Sequence, residues 1–355
     1  MGTRVEVYAG TAGHSAWFSD DRGLTWVHPN SHSGMYLEAR VWAFSSHPDA
    51  PDELYAGTDM GLFRWNERST RWTAVASPMQ DIWALAQDPR DHRVLYAGTR
   101  PAGFFRSPDQ GQTWQPLEVA GIASFSEINM GPTRVTRLML QRGRPDVLWA
   151  SVEIGGIYCS EDGGQTWSPR TNGLVSMDVH DLASILDADG NTVLFATTNR
   201  GLHRSDDLGE NWVFQRLDSP WQYTRAIVAR ADTDSVLFLA NGNGPPGSSG
   251  ALLRSDDYGR SWKSLALPGQ LQSTVWCIAV HESDPKLILV ATNLGQLFRS
   301  EDGGQSWHML PHQFGEVRAL CWRTIHVDPG RPAHSITVRR DVPGAELAFN
   351  AGETV

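Results

Sequence analysis

Short apolar runs recur along the chain, each bounded by glycine, proline or acidic residues. One set reads Ile82-Trp83-Ala84-Leu85-Ala86, then Val94-Leu95-Tyr96-Ala97-Gly98-Thr99, then Gly103-Phe104-Phe105-Arg106, then Gln115-Pro116-Leu117. Runs this short, rich in β-branched and aromatic residues and split by breakers such as Asp88-Pro89-Arg90-Asp91, predict four β-strands. Between the third and fourth runs stands Ser-x-Asp-x-Gly-x-(Thr/Ser/Asn)-Trp, found at 19–26, 107–114, 160–167, 205–212, 255–262 and 300–307. A seventh copy at 65–72 keeps the final tryptophan and little else. The closing tryptophans, Trp26, Trp72, Trp114, Trp167, Trp212, Trp262 and Trp307, are spaced 46, 42, 53, 45, 50 and 45 residues apart. A period of roughly 40–50 residues with four short strands per repeat predicts an all-β fold, a β-propeller with one blade per repeat.

The ends of the chain predict how the ring closes. The first run, Val5-Glu6-Val7-Tyr8-Ala9-Gly10-Thr11, has the pattern of a second strand, with no innermost strand before it. Val317-Arg318-Ala319-Leu320-Cys321-Trp322 has the innermost pattern and no blade of its own. The C-terminal strand is therefore expected to complete blade 1, which removes the open sheet edges that invite aggregation. Residues 1–327 then form one seven-bladed domain, and 328–355 an extension, with one more strand expected at 335–339 and a loose end at 350–355.

The eight-residue motif has a structural rationale. Its aspartate can accept bonds from the N–H groups of its own loop, its glycine supplies a positive φ, and its tryptophan packs under the loop. On these residues the chain resembles the Asp-box, or bacterial neuraminidase repeat, propeller superfamily, over about residues 3–327. The resemblance implies that each box is a hairpin between the two outer strands of a blade. The box aspartates are then rim scaffolding, not catalysts.

Composition narrows the function classes. The net charge of −10 argues against non-specific binding to nucleic acid or an anionic membrane surface. No apolar signal region and no long apolar span stands out, and three cysteines, Cys159, Cys277 and Cys321, fall inside strand patterns. A sparse, odd set of buried thiols fits a reducing compartment, so a cytoplasmic location is expected. No metal-ligand spacing, phosphate loop or Gly-x-Ser-x-Gly elbow occurs, so neither a metal nor a cofactor is expected.

Candidate chemistry lies where the innermost strands begin. Aligning them gives the column Trp42, Trp83, Arg137, His180, Arg225, Trp276, Arg318. On one axis these residues would form a cationic, aromatic-lined bowl at the loop-rich mouth of the channel. Arginine forks bind carboxylate, sulfate or phosphate, and indoles stack on rings. The same large side chains would also serve to wedge the blades apart. A column after the second strand adds Ala12, Asp59, Arg100, Glu153, Asn199, Asn243 and Leu294, and the links between blades add Tyr36, Glu38, Asp81, Glu127, Asp178, Tyr223 and Glu316. The candidate acid–base groups are His180, Asp59, Asp81, Glu153 and Glu316. The candidate ligand contacts are Arg137, Arg225, Arg318, Trp42, Trp83, Trp276, Arg100 and His14. His203 falls in a blade-core column, and His47 at an a–b turn on the opposite face is expected to be exposed. Two insertions, 117–133 and 242–250, lengthen loops on the mouth face, where function concentrates.

The resemblance leaves two readings. Sialidases of the superfamily have six blades and a Phe-Arg-Ile-Pro motif, which this chain lacks. Xyloglucanase-type relatives place paired aspartates in a cleft between two propellers, and the photosystem II assembly factor is a non-enzymatic seven-bladed relative. One reading is a site for an anionic, ring-shaped small molecule such as a sugar acid, with hydrolysis or elimination as the chemistry. The other is an interaction or assembly propeller that binds a protein on its loop-rich face.

Overall fold

The computed structural model describes residues 2–66, 69–128, 131–327 and 340–341. Among the described residues seven sheets form the blades; six run in consecutive antiparallel order from the channel outwards, and the blade 1 sheet starts instead with the last long strand of the chain. Blade 3 is typical, with strands Ile82–Asp88, Asp91–Thr99, Phe104–Ser107 and Gln115–Leu117. The other innermost strands are Val41–His47, Arg134–Gln141, Val179–Leu186, Tyr223–Arg230 and Val275–Ala279, for blades 2, 4, 5, 6 and 7. The second strand of each blade is covered on both faces, which is why it reads as a continuous apolar run and not as an alternation. Leu54, Tyr55 and Ala56, and likewise Leu95 and Ala97, are fully buried. The core accordingly divides into seven clusters, one at each contact between neighbouring blades. Glycine sets some of these contacts. A Cβ on Gly10, Gly57 or Gly98 would stand 2.7, 2.7 and 2.5 Å from Val41, Ile82 and Val135 of the next blade.

Blade 1 closes as expected. Its innermost strand, Val317–Val327, pairs antiparallel with Gly2–Thr11, from Gly2 opposite Val327 to Thr11 opposite Val317. A buried polar cluster sits in this seam. Arg323 donates to Glu6 Oε2 at 3.0 Å and to the Tyr8 hydroxyl at 3.1 Å, and the Tyr8 hydroxyl donates to Glu6 Oε2 at 2.7 Å. Arg323 also donates to the Pro51 carbonyl of blade 2 at 2.7 Å. Glu6 and Arg323 are fully buried, and Glu6 also takes a bond from Arg4 at 2.7 Å on its other oxygen. Beyond the ring, Arg340–Asp341 pairs with the outer strand Trp26–Val27 of blade 1. The expected strand at 335–339 and loose end at 350–355 lie outside the described residues.

The boxes are the hairpins foreseen. In all six the serine hydroxyl donates to the aspartate at 2.7–2.9 Å and accepts the glycine N–H at 2.8–2.9 Å. The other carboxylate oxygen takes the side chain of the seventh residue, as Thr166 does at 2.6 Å. One demand was not foreseen: the residue before the glycine is also left-handed, with φ of 60° at Arg22 and 57° at Leu208. Glycine fills that position only in the boxes at 160–167 and 300–307. His203 is fully buried in its column, as expected. His47 is buried instead of exposed, because its Nδ1 accepts the Asp49 N–H at 3.1 Å and its ring packs 6.0 Å from that of His92.

The seam makes folding depend on the last strand. A fragment ending at residue 310 should show no single cooperative melt in calorimetry. In the full chain, Glu6→Ala should cost about 3–5 kcal/mol in urea unfolding, because it leaves the Arg323 charge buried without its partner.

Candidate functional site

Each innermost strand breaks register with the second strand by one residue, near its start. The residue before the break is apolar or threonine and fully buried in every blade: Val41, Ile82, Val135, Val179, Thr224, Val275 and Val317. The extra residue is a β-bulge, which lifts its own side chain out of the strand's alternation. The bulged residues are Trp42, Trp83, Thr136, His180, Arg225, Trp276 and Arg318, and all seven line a cavity of about 220 Å³. This corrects one column position. Arg137 was expected in the ring, but Thr136 occupies it, because a bulge shifts the period-two alignment by one. Arg137 still lines the cavity, one level down beside Asp181.

The ring is held by π contacts between blades. Arg225 lies 3.5 Å above the Trp276 ring, and Arg318 lies 4.9 Å from Trp276 and 5.9 Å from Trp42. Trp42 and Trp83 stack at 4.0 Å and 14°, and Arg134 covers the far face of this pair at 4.1 Å from Trp83. His180 packs on Tyr223 at 5.1 Å, and Tyr223 meets Arg225 at 5.8 Å. Guanidinium and ring thus alternate around most of the mouth.

Two residues before each bulge stands Arg40, Asp81, Arg134, Asp178, Tyr223, Thr274 or Glu316. The backbone carbonyls of several accept N–H bonds from the end of the second strand, such as Arg100 N–H to Asp81 at 2.9 Å and Ala12 N–H to Glu316 at 2.9 Å. Their side chains serve the ring. Asp81 Oδ1 accepts both indole N–H groups, at 2.8 Å from Trp42 and 2.9 Å from Trp83. Burial pushes the Asp81 carboxyl above its ordinary range, against those bonds and Arg100. Glu316 pairs with Arg318, and Arg134 with Glu153. Arg137 meets Asp181 at 3.3 Å, and burial raises the Asp181 carboxyl too, against Arg137. The bowl is therefore not simply cationic, as the arginine count implied: Arg134, Arg137 and Arg318 each carry a carboxylate partner. Arg225 is the exception. Its guanidinium makes no hydrogen bond or ion pair among the described residues, and burial lowers its pKa.

His180 is buried, with Nδ1 2.6 Å from the Thr224 carbonyl and Nε2 3.4 Å from Asp178 Oδ1. Burial, and then Arg225, lower its pKa to about 4. Asp178 is held below the usual carboxylate range; burial opposes this, and His180, Arg225 and Arg134 outweigh it. Of the remaining candidates, Asp59 accepts the Arg40 N–H at 2.9 Å and so clips a loop. His14 is exposed. Neither of these, nor Arg100, Glu153 or Glu316, lines the cavity. Arg134 and Asp181 were missed as site residues. Their signal was present as polar residues flanking the bulge, but it could be placed only once the bulge was known.

Around the mouth the loops are apolar. Tyr36, Leu37, Met60, Phe125, Ile128, Val175, Met177 and Leu294 are all exposed, and all sit on links between blades or on loops between second and third strands. Phe125 and Ile128 belong to the long 117–133 insertion, which carries the small hairpin Phe125–Ser126 with Gly131–Pro132.

Seven four-stranded blades and six boxes define an Asp-box β-propeller. The BNR/Asp-box repeat family matches residues 158–169, within blade 4. A xyloglucanase from a Paenibacillus species is 27% identical over 346 residues, covering 79% of this chain and 33% of that protein. The chain thus spans about a third of the length of that curated relative. The GH74 enzyme of Niastella koreensis has the same fold with a TM-score of 0.62 at 22% identity, over 76% of this chain and 45% of its own. Ycf48 bound to a D1 peptide matches with a TM-score of 0.55 at 18% identity, over 83% and 87% of the two chains.

The buried histidines set an acid limit on stability. His180 and His203 both have pKa values lowered from 6.5 to about 4, chiefly by burial. Between those values the unfolded chain binds protons that the folded one refuses. Stability is therefore full above about pH 6.5 and falls as pH drops towards 4, by about 3 kcal/mol for each histidine. Urea unfolding at a series of pH values checks this, and His203→Phe should flatten the slope in that window.

Proposed function

We propose that the loop-rich mouth of the channel binds an anionic ligand, held by Arg225 against the indole ring of Trp276. The observation that carries this reading is the unmatched guanidinium of Arg225, in a cavity whose other arginines are already paired. A half-buried cation without a counter-charge is costly, and an incoming carboxylate, sulfate or phosphate offsets that cost. Trp42, Trp83 and Trp276 offer flat walls for a ring-shaped ligand, and about 220 Å³ suits a group of monosaccharide size. The xyloglucanase relative supports a saccharide and supplies no reason for it to be charged; the charge is inferred from Arg225 alone. Asp181, which lines the cavity and whose carboxyl burial raises, is the carboxyl placed to exchange a proton if the ligand is turned over.

A second reading has its own observation. Eight exposed apolar side chains surround the mouth, and clustered apolar patches mark interaction surfaces. The Ycf48 structure of this fold holds a peptide. On this reading a polypeptide lies across the rim and places an acidic group in the bowl.

A melting-temperature screen against uronates, sugar sulfates, phosphates and acidic peptides separates the readings. A ligand at one hundred times its Kd should add about 2.7 kcal/mol of stability. Arg225→Ala should abolish that gain for any ligand seated in the bowl, and a shift that survives this change places the ligand elsewhere. Ile128→Ser with Phe125→Ser should weaken a peptide by more than ten-fold and leave a small sugar acid unaffected.

A further inference from the structure

The geometry points to a specific ligand chemistry: we infer that the anion carries a hydroxyl close to its charged group, and that this hydroxyl donates to His180 Nε2 and Asp178 Oδ1. The inference rests on the anion reading above and adds a second, independent contact.

It begins with the tautomer of His180. A carbonyl oxygen can only accept, so the 2.6 Å contact with Thr224 O places a proton on Nδ1. A proton on Nε2 alone would set two lone pairs against each other at that distance. A doubly protonated ring is opposed by burial and by Arg225. At neutral pH the Nε2 atom therefore presents a bare lone pair. Its nearest polar neighbour is Asp178 Oδ1 at 3.4 Å, which is also only an acceptor when ionised. That oxygen is buried without a hydrogen-bond partner among the described residues. Two acceptors thus converge with no donor between them, on a side chain 97% buried by the 3% exposure of the imidazole. Buried acceptors are nearly always satisfied, so the missing donor comes from outside the chain.

The donor is a hydroxyl and not an ammonium group. Burial first, and then the Arg225 charge, keep a second proton off His180 against the pull of Asp178, and both oppose an ammonium in the same way. A neutral O–H can satisfy one acceptor directly and approach the other without adding charge. Arg225 lines the same cavity as His180, and Tyr223 touches both. One small molecule can therefore meet the guanidinium with its anion and the two acceptors with its hydroxyl. The class is a hydroxy acid, of which a uronate is one example.

The test is a matched set of probes against the full chain by calorimetric titration: cyclohexanecarboxylate, its 2-hydroxy derivative and its 2-amino derivative. The hydroxy acid should bind at least ten-fold more tightly than the parent acid. Asp178→Asn puts an amide N–H beside Nε2 and should shrink that preference to about two-fold. In the unmutated protein, the ¹⁵N resonance of His180 Nε2 should move on adding the hydroxy acid and stay in place on adding the parent. Equal affinity for parent and hydroxy acid would overturn the hydroxyl contact and leave the anion site standing. Preference for the amino acid would overturn the choice of donor. Failure of every probe to bind would remove the anion reading and this inference together.

Discussion

The pairing of residues 2–11 with residues 317–327 is the constraint on which the rest of the structure depends. Each of the seven core clusters spans two blades, so no blade has a complete core alone. Without the seam, blade 1 lacks its innermost strand and both of its neighbours lose a packing face. The seam also completes the mouth. Arg318 enters the ring only on the closing strand, between Trp276 and Trp42. The buried Glu6–Arg323–Tyr8 cluster explains why this strand pairs in one register: a shift of one residue would turn Arg323 to the opposite face and leave Glu6 with Arg4 alone.

The mouth is where the regular sheet is interrupted. A continuous ladder would turn every second side chain of the innermost strands into blade contacts. The bulge releases one residue per blade, and the buried residue before it anchors the strand, so the released side chain projects from a rigid base. Tryptophan, arginine and histidine at these positions then fill the ring by stacking, and carboxylates from different elements balance the arginines: Glu316 on Arg318, Glu153 on Arg134 and Asp181 on Arg137. What remains unbalanced includes one guanidinium and one pair of facing acceptors. On the proposed reading these two, and not the overall net charge, set what the mouth selects.

Much of the fold was legible because it repeats. The tryptophan spacing fixes the blade count, and the orphan pattern at Val317–Trp322 reveals the closure. The box motif also carries its chemistry openly, since serine, aspartate and the seventh residue bond one another within eight positions. The site was legible to a lesser depth. Six of the seven ring residues fall in the aligned column, but blade 4 offers Arg134, Thr136 and Arg137 in a row, and only the observed pairing shows which one is bulged. Pairing across blades was not legible at all. Asp81 serves Trp42 from 39 positions away, and Arg134 covers Trp83 of the preceding blade, contacts set by the ring and not by any local pattern. His47 failed for a related reason: its burial comes from His92 of the next blade.

The same division separates scaffold from site in physical terms. On the outer rim every box aspartate has its oxygens filled by its own loop, and those at Asp162 and Asp302 have pKa values well below the ordinary range through hydrogen bonds to Thr166 and Ser306 that outweigh burial. Such groups have no spare valence for a ligand. At the mouth the balance reverses. Asp81 and Asp181 are raised by burial, Arg225 is uncompensated, and Asp178 Oδ1 has no donor. The boxes close their polar groups on their own loops, whereas at the ring Asp178 Oδ1 has no donor among the described residues. The open groups differ in sign and kind, so on the proposed reading the ligand carries both an anion and a neutral donor, which a simple inorganic ion does not.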